Sequence, residues 1–374
     1  MTEVQEFADQ AILVPTARPQ RQQRRPIRQP LLWVVISLCT IHSAIAQTQP
    51  ARTESSKPRV FRAQDTLDVG TEPNIDAREC LRGLTWRPTA FTVQLGEGDK
   101  NGEFVVTFPS PRPEGNVIND RVTVEWYQAR ERKGAKIERA RPVIVVHELG
   151  SNMAAGRAVA RAFSKTGLHA FMVQLPSYGN RRVRRIRPAE MLQPMKQAIA
   201  DVRRARDAIA VLPGVDTSHI ALQGTSLGGI IAASSGSLDK GFDSVHLLLA
   251  GGDLFDVIKN GERDTAHVRR DLERAGVTDG QIRHMTNQIE PNRIAHRLNP
   301  TRTWLYSAKN DLVIPKANSD ALARAARLAD QHHEKFNANH YSGLILMPWI
   351  VAKMAGNIVQ FADEPTVQVR SPPM

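Results

Sequence analysis

Cysteine is scarce in this chain of 374 residues, which has two, Cys39 and Cys80. With the amino-terminal leader described below removed, Cys80 stands alone and no intrachain disulfide can form, even in an oxidising compartment. It reads as a small buried hydrophobe. Aromatic residues make up 5% of the chain, and they are not interleaved with basic residues as in nucleic-acid binders, so no nucleic-acid partner is expected. Acids are short relative to bases: 38 Asp and Glu stand against 50 Lys and Arg, a formal net charge of +12. The leader holds five Arg and three acids, which leaves the remainder near +10. That balance suits association with an anionic envelope surface or an acidic polymer. No internal repeat is present, and no apolar run reaches the roughly 20 residues of a membrane-spanning helix. An apolar fraction of 41% is enough for a buried core.

The first 46 residues combine a flank rich in Gln, Arg and Pro, an apolar stretch from Leu31 to Ala46, and Ala44-Ile45-Ala46 at its end. This pattern predicts a signal peptide over 1–46, cleaved after Ala46, and therefore export to the periplasm or the exterior. The alternative is a membrane anchor over 31–46. Residues 47–88 carry Pro, Ser, Thr and charge with little periodicity, which predicts a linker or loosely packed extension. The globular part is expected over 89–365, with a tail at 366–374.

Within 89–365, Phe91 to Leu95 and Phe104 to Phe108 flank a Gly-rich turn and predict a β-hairpin. Val122 to Tyr127 predicts a further strand. Pro142 to Val146 is almost wholly β-branched, as in a strand buried on both faces of a parallel sheet. Helix and strand patterns then alternate: helix 156–165, strand 169–174, helix 189–212, strand 218–223, a small-residue helix, and strand 245–249. After a break come strand 303–307, helix 316–329, a short strand near 334–337 and a closing helix over 341–361. The alternation predicts an α/β fold with a mostly parallel, doubly wound sheet. Residues 253–298 interrupt it with Asp253 and with Phe255, Ile258, Val268, Leu272, Ile282, Met285 and Ile289, apolar residues at helical spacing. A helical cap over the active site is expected there, the alternative being an ordinary surface subdomain.

The chemistry centres on His219 to Ser235, where an apolar strand runs into Gly224-Thr225-Ser226-Leu227-Gly228 and then into a helix. Ser226 stands at the tip of that turn, where a nucleophile adopts a strained backbone and its neighbours two residues away come too close for side chains. A serine hydroxyl also needs a base, a group to orient the base, and donors for an oxyanion. Asp311, on the loop after the strand at 303–307, is the candidate acid, and His340, in Asn339-His340-Tyr341-Ser342-Gly343, the candidate base. Taken singly, Asp311 also reads as a turn or helix cap and His340 as a surface capping residue. Their joint placement favours catalysis.

The order Ser226, Asp311, His340, each after a successive strand, together with His147-Glu148-Leu149-Gly150 in the oxyanion-loop position, resembles the α/β-hydrolase superfamily, in the manner of serine esterases and dienelactone hydrolases. The resemblance covers Val122 to about Phe361. It implies attack by Ser226 on an acyl carbonyl, with His340 as base then acid and Asp311 orienting the imidazole. It also implies an oxyanion hole from the backbone amides of Leu227 and Leu149, and no cofactor. Glu148 departs from the family pattern, which has glycine there; a carboxylate beside a developing anion must point away, be protonated or contact substrate. Glu148 and Tyr178 are the candidate substrate contacts, and the arginines at 181, 182, 184, 185 and 187 read as a solvated basic loop or an attractor of anions. His147-Glu148 lacks the second histidine of a zinc motif, since position 151 is Ser151, and His332-His333-Glu334 lacks a second ligand cluster, so no metal is predicted.

The sequence therefore predicts an exported serine hydrolase acting on a small-molecule or polymer carboxylic ester, its oligomeric state open. A peptidase or lipase on the same fold is one alternative, and the low aromatic content argues against a lipase. A non-catalytic hydrolase-like protein that binds the envelope is the other.

Overall fold

The computed structural model describes residues 57–362 apart from 132, 151 and 185. These lie within one compact unit. The predicted signal peptide and its cleavage point, the alternative anchor and the tail at 366–374 lie outside the described residues, as does Arg185 of the basic loop. Ten strands form one sheet: β1 (Arg59–Gln64), β2 (Ala90–Glu97), β3 (Phe104–Pro109), β4 (Arg121–Tyr127), β5 (Pro142–Val146), β6 (His169–Gln174), β7 (Ala221–Thr225), β8 (Ser244–Leu248), β9 (Thr303–Ala308) and β10 (His333–Phe336). Their order across the sheet is β1-β2-β3-β4-β6-β5-β7-β8-β9-β10. The first four pair antiparallel, β4 joins β6 antiparallel, and from β6 onward every neighbour is parallel.

The helices are α1 (Ile75–Leu84), α2 (Ala154–Lys165), α3 (Leu192–Ala210), α4 (Leu227–Gly236), α5 (Leu254–Asn260), α6 (Asp264–Arg274), α7 (Asp279–Asn287), α8 (Lys316–Ala325) and α9 (Met347–Ala362). Strand β5 shows why the fold is doubly wound. Its side chains alternate, Ile144 and Val146 joining the core that holds α3 and α4, while Val143 and Val145 join the core that holds α2 and α9. Every β5 residue is buried, and each such Val or Ile contributes about 1.5–3 kcal/mol. The closing helix starts later than expected, at Met347 after a 3-10 turn over Ser342–Leu346. Pro348 accounts for this, because proline lacks the N–H that a helix interior needs and is tolerated only in the first turn.

The described part of the segment expected to be a linker, residues 57–88, is folded. Within it, β1 pairs with β2, and α1 buries Ala77, Cys80, Leu81 and Leu84. The cause is polar pairing with α3 and with the 3-10 turn at Ala295–Arg297. Asp65 accepts from Nε of Arg204 at 2.9 Å, Thr66 donates to Asp207 at 2.6 Å, and Glu72 pairs with Arg297 at 2.7 Å. Polar residues that read as solvated thus cover the arginine-bearing face of α3.

The expected cap is present between β8 and β9 as α5, α6 and α7. Asp253 caps α5, accepting from the Asp256 amide, and Phe255 lies under the guanidinium of Arg283, 3.8 Å from the ring centroid.

Candidate active site

Strand β7 ends at Thr225 and α4 begins at Leu227, leaving Ser226 alone between them with φ 54° and ψ −117°. A non-glycine residue at positive φ is strained and persists where its surroundings fix it. Here the Ser226 amide donates to the Leu248 carbonyl on β8 at 2.8 Å. The flanking glycines are needed for close approach. A Cβ on Gly224 would stand 2.1 Å from the Gly228 carbonyl oxygen, and one on Gly228 would stand 2.2 Å from that of Val146.

Asp311 follows β9 and His340 follows β10, so adjacent parallel strands deliver both to the edge of the sheet that carries Ser226. Ser226 Oγ lies 3.0 Å from His340 Nε2, and His340 Nδ1 lies 2.7 Å from Asp311 Oδ2. The other Asp311 oxygen accepts from the amides of Val313 and Ile314 at 2.9 and 3.0 Å. That assigns Nδ1–H as donor to the carboxylate and leaves Nε2 free to accept from the serine hydroxyl. Asp311 and His340 are both buried.

The loop after β5 is held on two sides. His147 is fully buried; its Nδ1 donates to the Glu148 carbonyl at 2.7 Å, and its Nε2 accepts from the Leu175 amide at 3.1 Å. Burial lowers its pKa to about 4, so it is a neutral brace. The Glu148 carboxylate turns to the amino terminus of α2, accepting from the amides of Ala155 and Gly156 at 3.0 and 2.8 Å. Those are orphan donors at the positive end of a helix dipole, so the carboxylate is held there. Leu149 is exposed beside Ser226, and the Leu227 amide is the first of α4, a position without an intrahelical acceptor.

Tyr178 does not line the cavity described below. Its ring meets His147 edge-on at 4.6 Å and its hydroxyl bonds the backbone of Gly150, so it supports the loop from behind. The basic loop resolves in the same way. Arg181 is fully buried and pairs with Asp201 at 2.7 Å, while Arg184 and Arg187 both pair with Glu190. His332 Nδ1 donates to the Thr303 carbonyl at 2.9 Å, and His333 Nε2 meets Ser307 Oγ at 2.8 Å.

A cavity of about 250 Å³ opens from Ser226 and His340 into the space beneath the cap. Helix α7 lines it with Ile282, Met285 and Thr286, the i, i+3, i+4 positions of one face, and Ile289, two residues past the end of the helix, extends that wall. Three lining residues, Tyr341, Asp264 and Thr265, have no signal in the sequence. Tyr341, beside His340, donates from its hydroxyl to Asp264 Oδ2 at 3.0 Å, joining the His340 loop to the first residue of α6. The same part of the cap grips the Asp311 loop: the Glu262 amide donates to the Leu312 carbonyl at 2.6 Å and Thr265 Oγ1 to that of Val313 at 3.0 Å. Such pairings join residues far apart in the chain and leave no local pattern.

No family model matches this chain, and no curated protein matches it. Solved structures do. Acetyl xylan esterase from Paenibacillus sp. R4 is similar with a TM-score of 0.51 at 14% identity, over 76% of this chain and 96% of that one. Acetyl xylan esterase 1 from Thermoanaerobacterium sp. JW/SL YS485 gives 0.51 at 13% identity, over 75% and 96%. A puromycin hydrolase gives 0.50 at 16% identity over 74% of this chain, which spans only 46% of that protein's length. With the strand order above, these likenesses show that the chain has the α/β-hydrolase fold.

Proposed function

We propose that this protein is a serine hydrolase that cleaves a carboxylic ester through an acyl-enzyme intermediate. The observation that carries the reading is the unbroken hydrogen-bonded run from Ser226 through His340 to Asp311. As Ser226 Oγ attacks the acyl carbon, its proton passes to His340 Nε2, and Asp311 stabilises the imidazolium. The carbonyl oxygen becomes an oxyanion facing the amides of Leu227 and Leu149. Collapse breaks the bond to the alcohol oxygen, which leaves with the proton from His340. Water then gives a proton to His340 and attacks the acyl-enzyme, and the acid departs as Ser226 regains its proton. No cofactor or metal enters these steps.

Glu148 is compatible with this role because its charge is directed to α2. The proposal extends to export, which rests on the leader pattern, and to contact with an anionic envelope, which rests on the basic charge. Amino-terminal sequencing of the exported product tests the first; cleavage anywhere other than after Ala46 overturns that boundary.

The reaction is tested by fluorophosphonate labelling with Ser226→Ala as control, followed by matched panels of aryl esters and aryl amides. Labelling confined to the wild type and turnover of esters are expected. Labelling that persists in Ser226→Ala removes that residue from the role, and amide turnover exceeding ester turnover favours a peptidase.

A further inference from the structure

We infer that the site takes an uncharged ester whose acyl group is an aliphatic chain well beyond acetyl; this rests on the reading of Ser226 as nucleophile. The hydroxyls on the cavity wall are already engaged, Thr265 with the Val313 carbonyl, Thr286 with that of Arg283 and Tyr341 with Asp264. No Lys or Arg is among its described lining residues, although the chain as a whole is strongly basic. The two carboxylates on its wall are engaged, Glu148 by the amides of α2 and Asp264 by Tyr341. Beyond Ser226 the wall is aliphatic: Met195 of α3, Ile230 one turn into α4, and Ile282, Met285 and Ile289 under the cap.

The two sides of the nucleophile differ, and the difference assigns acyl and alcohol. Toward His340, which must hand its proton to the leaving alcohol, the wall is the exposed Tyr341 and its bond to Asp264. Toward Leu227 and Ile230 the wall is buried, with Met195, Ile230 and Ile289 each less than a tenth exposed. An alcohol leaving past His340 therefore reaches a polar, wet rim, whereas an acyl group bonded to Ser226 has the dry aliphatic depth beside it. An acetyl group would leave that depth unfilled.

The experiment is a series of 4-nitrophenyl esters from acetate to decanoate, with a second series in which the acid is fixed and the alcohol lengthens from methyl to hexyl. We expect kcat/KM to rise roughly fourfold for each acyl methylene until the cavity is filled, and to change little with the alcohol. Met285→Trp and Val268→Phe, two independent fillings of the space, are each expected to lower the octanoate-to-acetate ratio at least about tenfold, within the range that pocket packing discriminates. A flat or falling acyl series in an enzyme that still labels at Ser226 overturns this inference and leaves the serine-hydrolase reading standing. So does selectivity that follows the alcohol. Failure of Ser226 to label overturns both.

Discussion

Asp311 holds His340 with one carboxylate oxygen, Oδ2 to Nδ1 at 2.7 Å, while two backbone amides hold the other. Those amides decide what Asp311→Asn would do. The Asn carbonyl must stay with them, so its NH2 faces His340 Nδ1 and forces that nitrogen to accept. The ring proton then moves to Nε2, where it blocks transfer from Ser226. Turnover is expected to fall about 10³–10⁴-fold while the melting temperature stays within a few degrees. Aryl-ester kinetics beside a thermal melt check this, and wild-type turnover in the variant would remove Asp311 from the relay.

Gly228→Ala tests the turn. Its Cβ would stand 2.2 Å from the Val146 carbonyl and 2.5 Å from that of His147, both of them backbone. Neither can swing aside as a side-chain tip can, so the end of β5 must shift. A cost of about 1–3 kcal/mol in stability is expected, together with loss of fluorophosphonate labelling. Urea unfolding and labelling read the two effects; a variant that labels at the wild-type rate would show that the turn tolerates the extra carbon.

Asp65→Ala tests the amino-terminal segment. Arg204, its buried partner, would be left with an uncompensated charge, and breaking such a pair costs about 3–5 kcal/mol. The double variant Asp65→Leu with Arg204→Met is expected to recover part of that loss. Urea midpoints for the three proteins are the measurement. An unchanged midpoint in Asp65→Ala would return the segment to the status of a tether.

Acid should loosen the loop after β5. In the folded protein His147 is held neutral, with its pKa near 4, whereas the unfolded chain takes up that proton near 6.5. The unfolded state binds more protons between these values, so the stability this group contributes is complete above about pH 6.5 and is lost as pH falls toward 4. The amount is on the order of 3 kcal/mol. His246, buried and lowered to about 3, acts in the same direction. His147→Gln is expected to flatten the dependence measured by urea unfolding at pH 7 and pH 4.5; an equal slope in both proteins would contradict the assignment.

Much of this was legible in the residues because it is local. The β-branched run of β5, the glycine-flanked turn at Ser226 and the apolar face of α7 each declare themselves within a few positions. Asp311 and His340 could be placed because each follows a strand, and the strands were readable. What escaped was set by partners distant in sequence. Asp65 and Arg204 stand 139 positions apart, so the charged stretch before residue 89 looked solvated. Arg181 looked like surface for the same reason, since its counter-charge Asp201 is on α3. Glu148 looked misplaced beside an oxyanion, because the amides that take its charge belong to a helix whose first turn the sequence did not reveal.

The cap is stitched to the rest of the molecule at both of its ends. Glu262, Asp264 and Thr265 fasten its front to the Asp311 and His340 loops, and Arg293 and Arg297 fasten its rear to Asp76 and Glu72. The arc between those seams, about residues 266–287, carries the cavity-lining faces of α6 and α7, so re-engineering the proposed acyl preference by graft means transplanting that arc and leaving in place both hems and Gln288, which Lys196 of α3 holds.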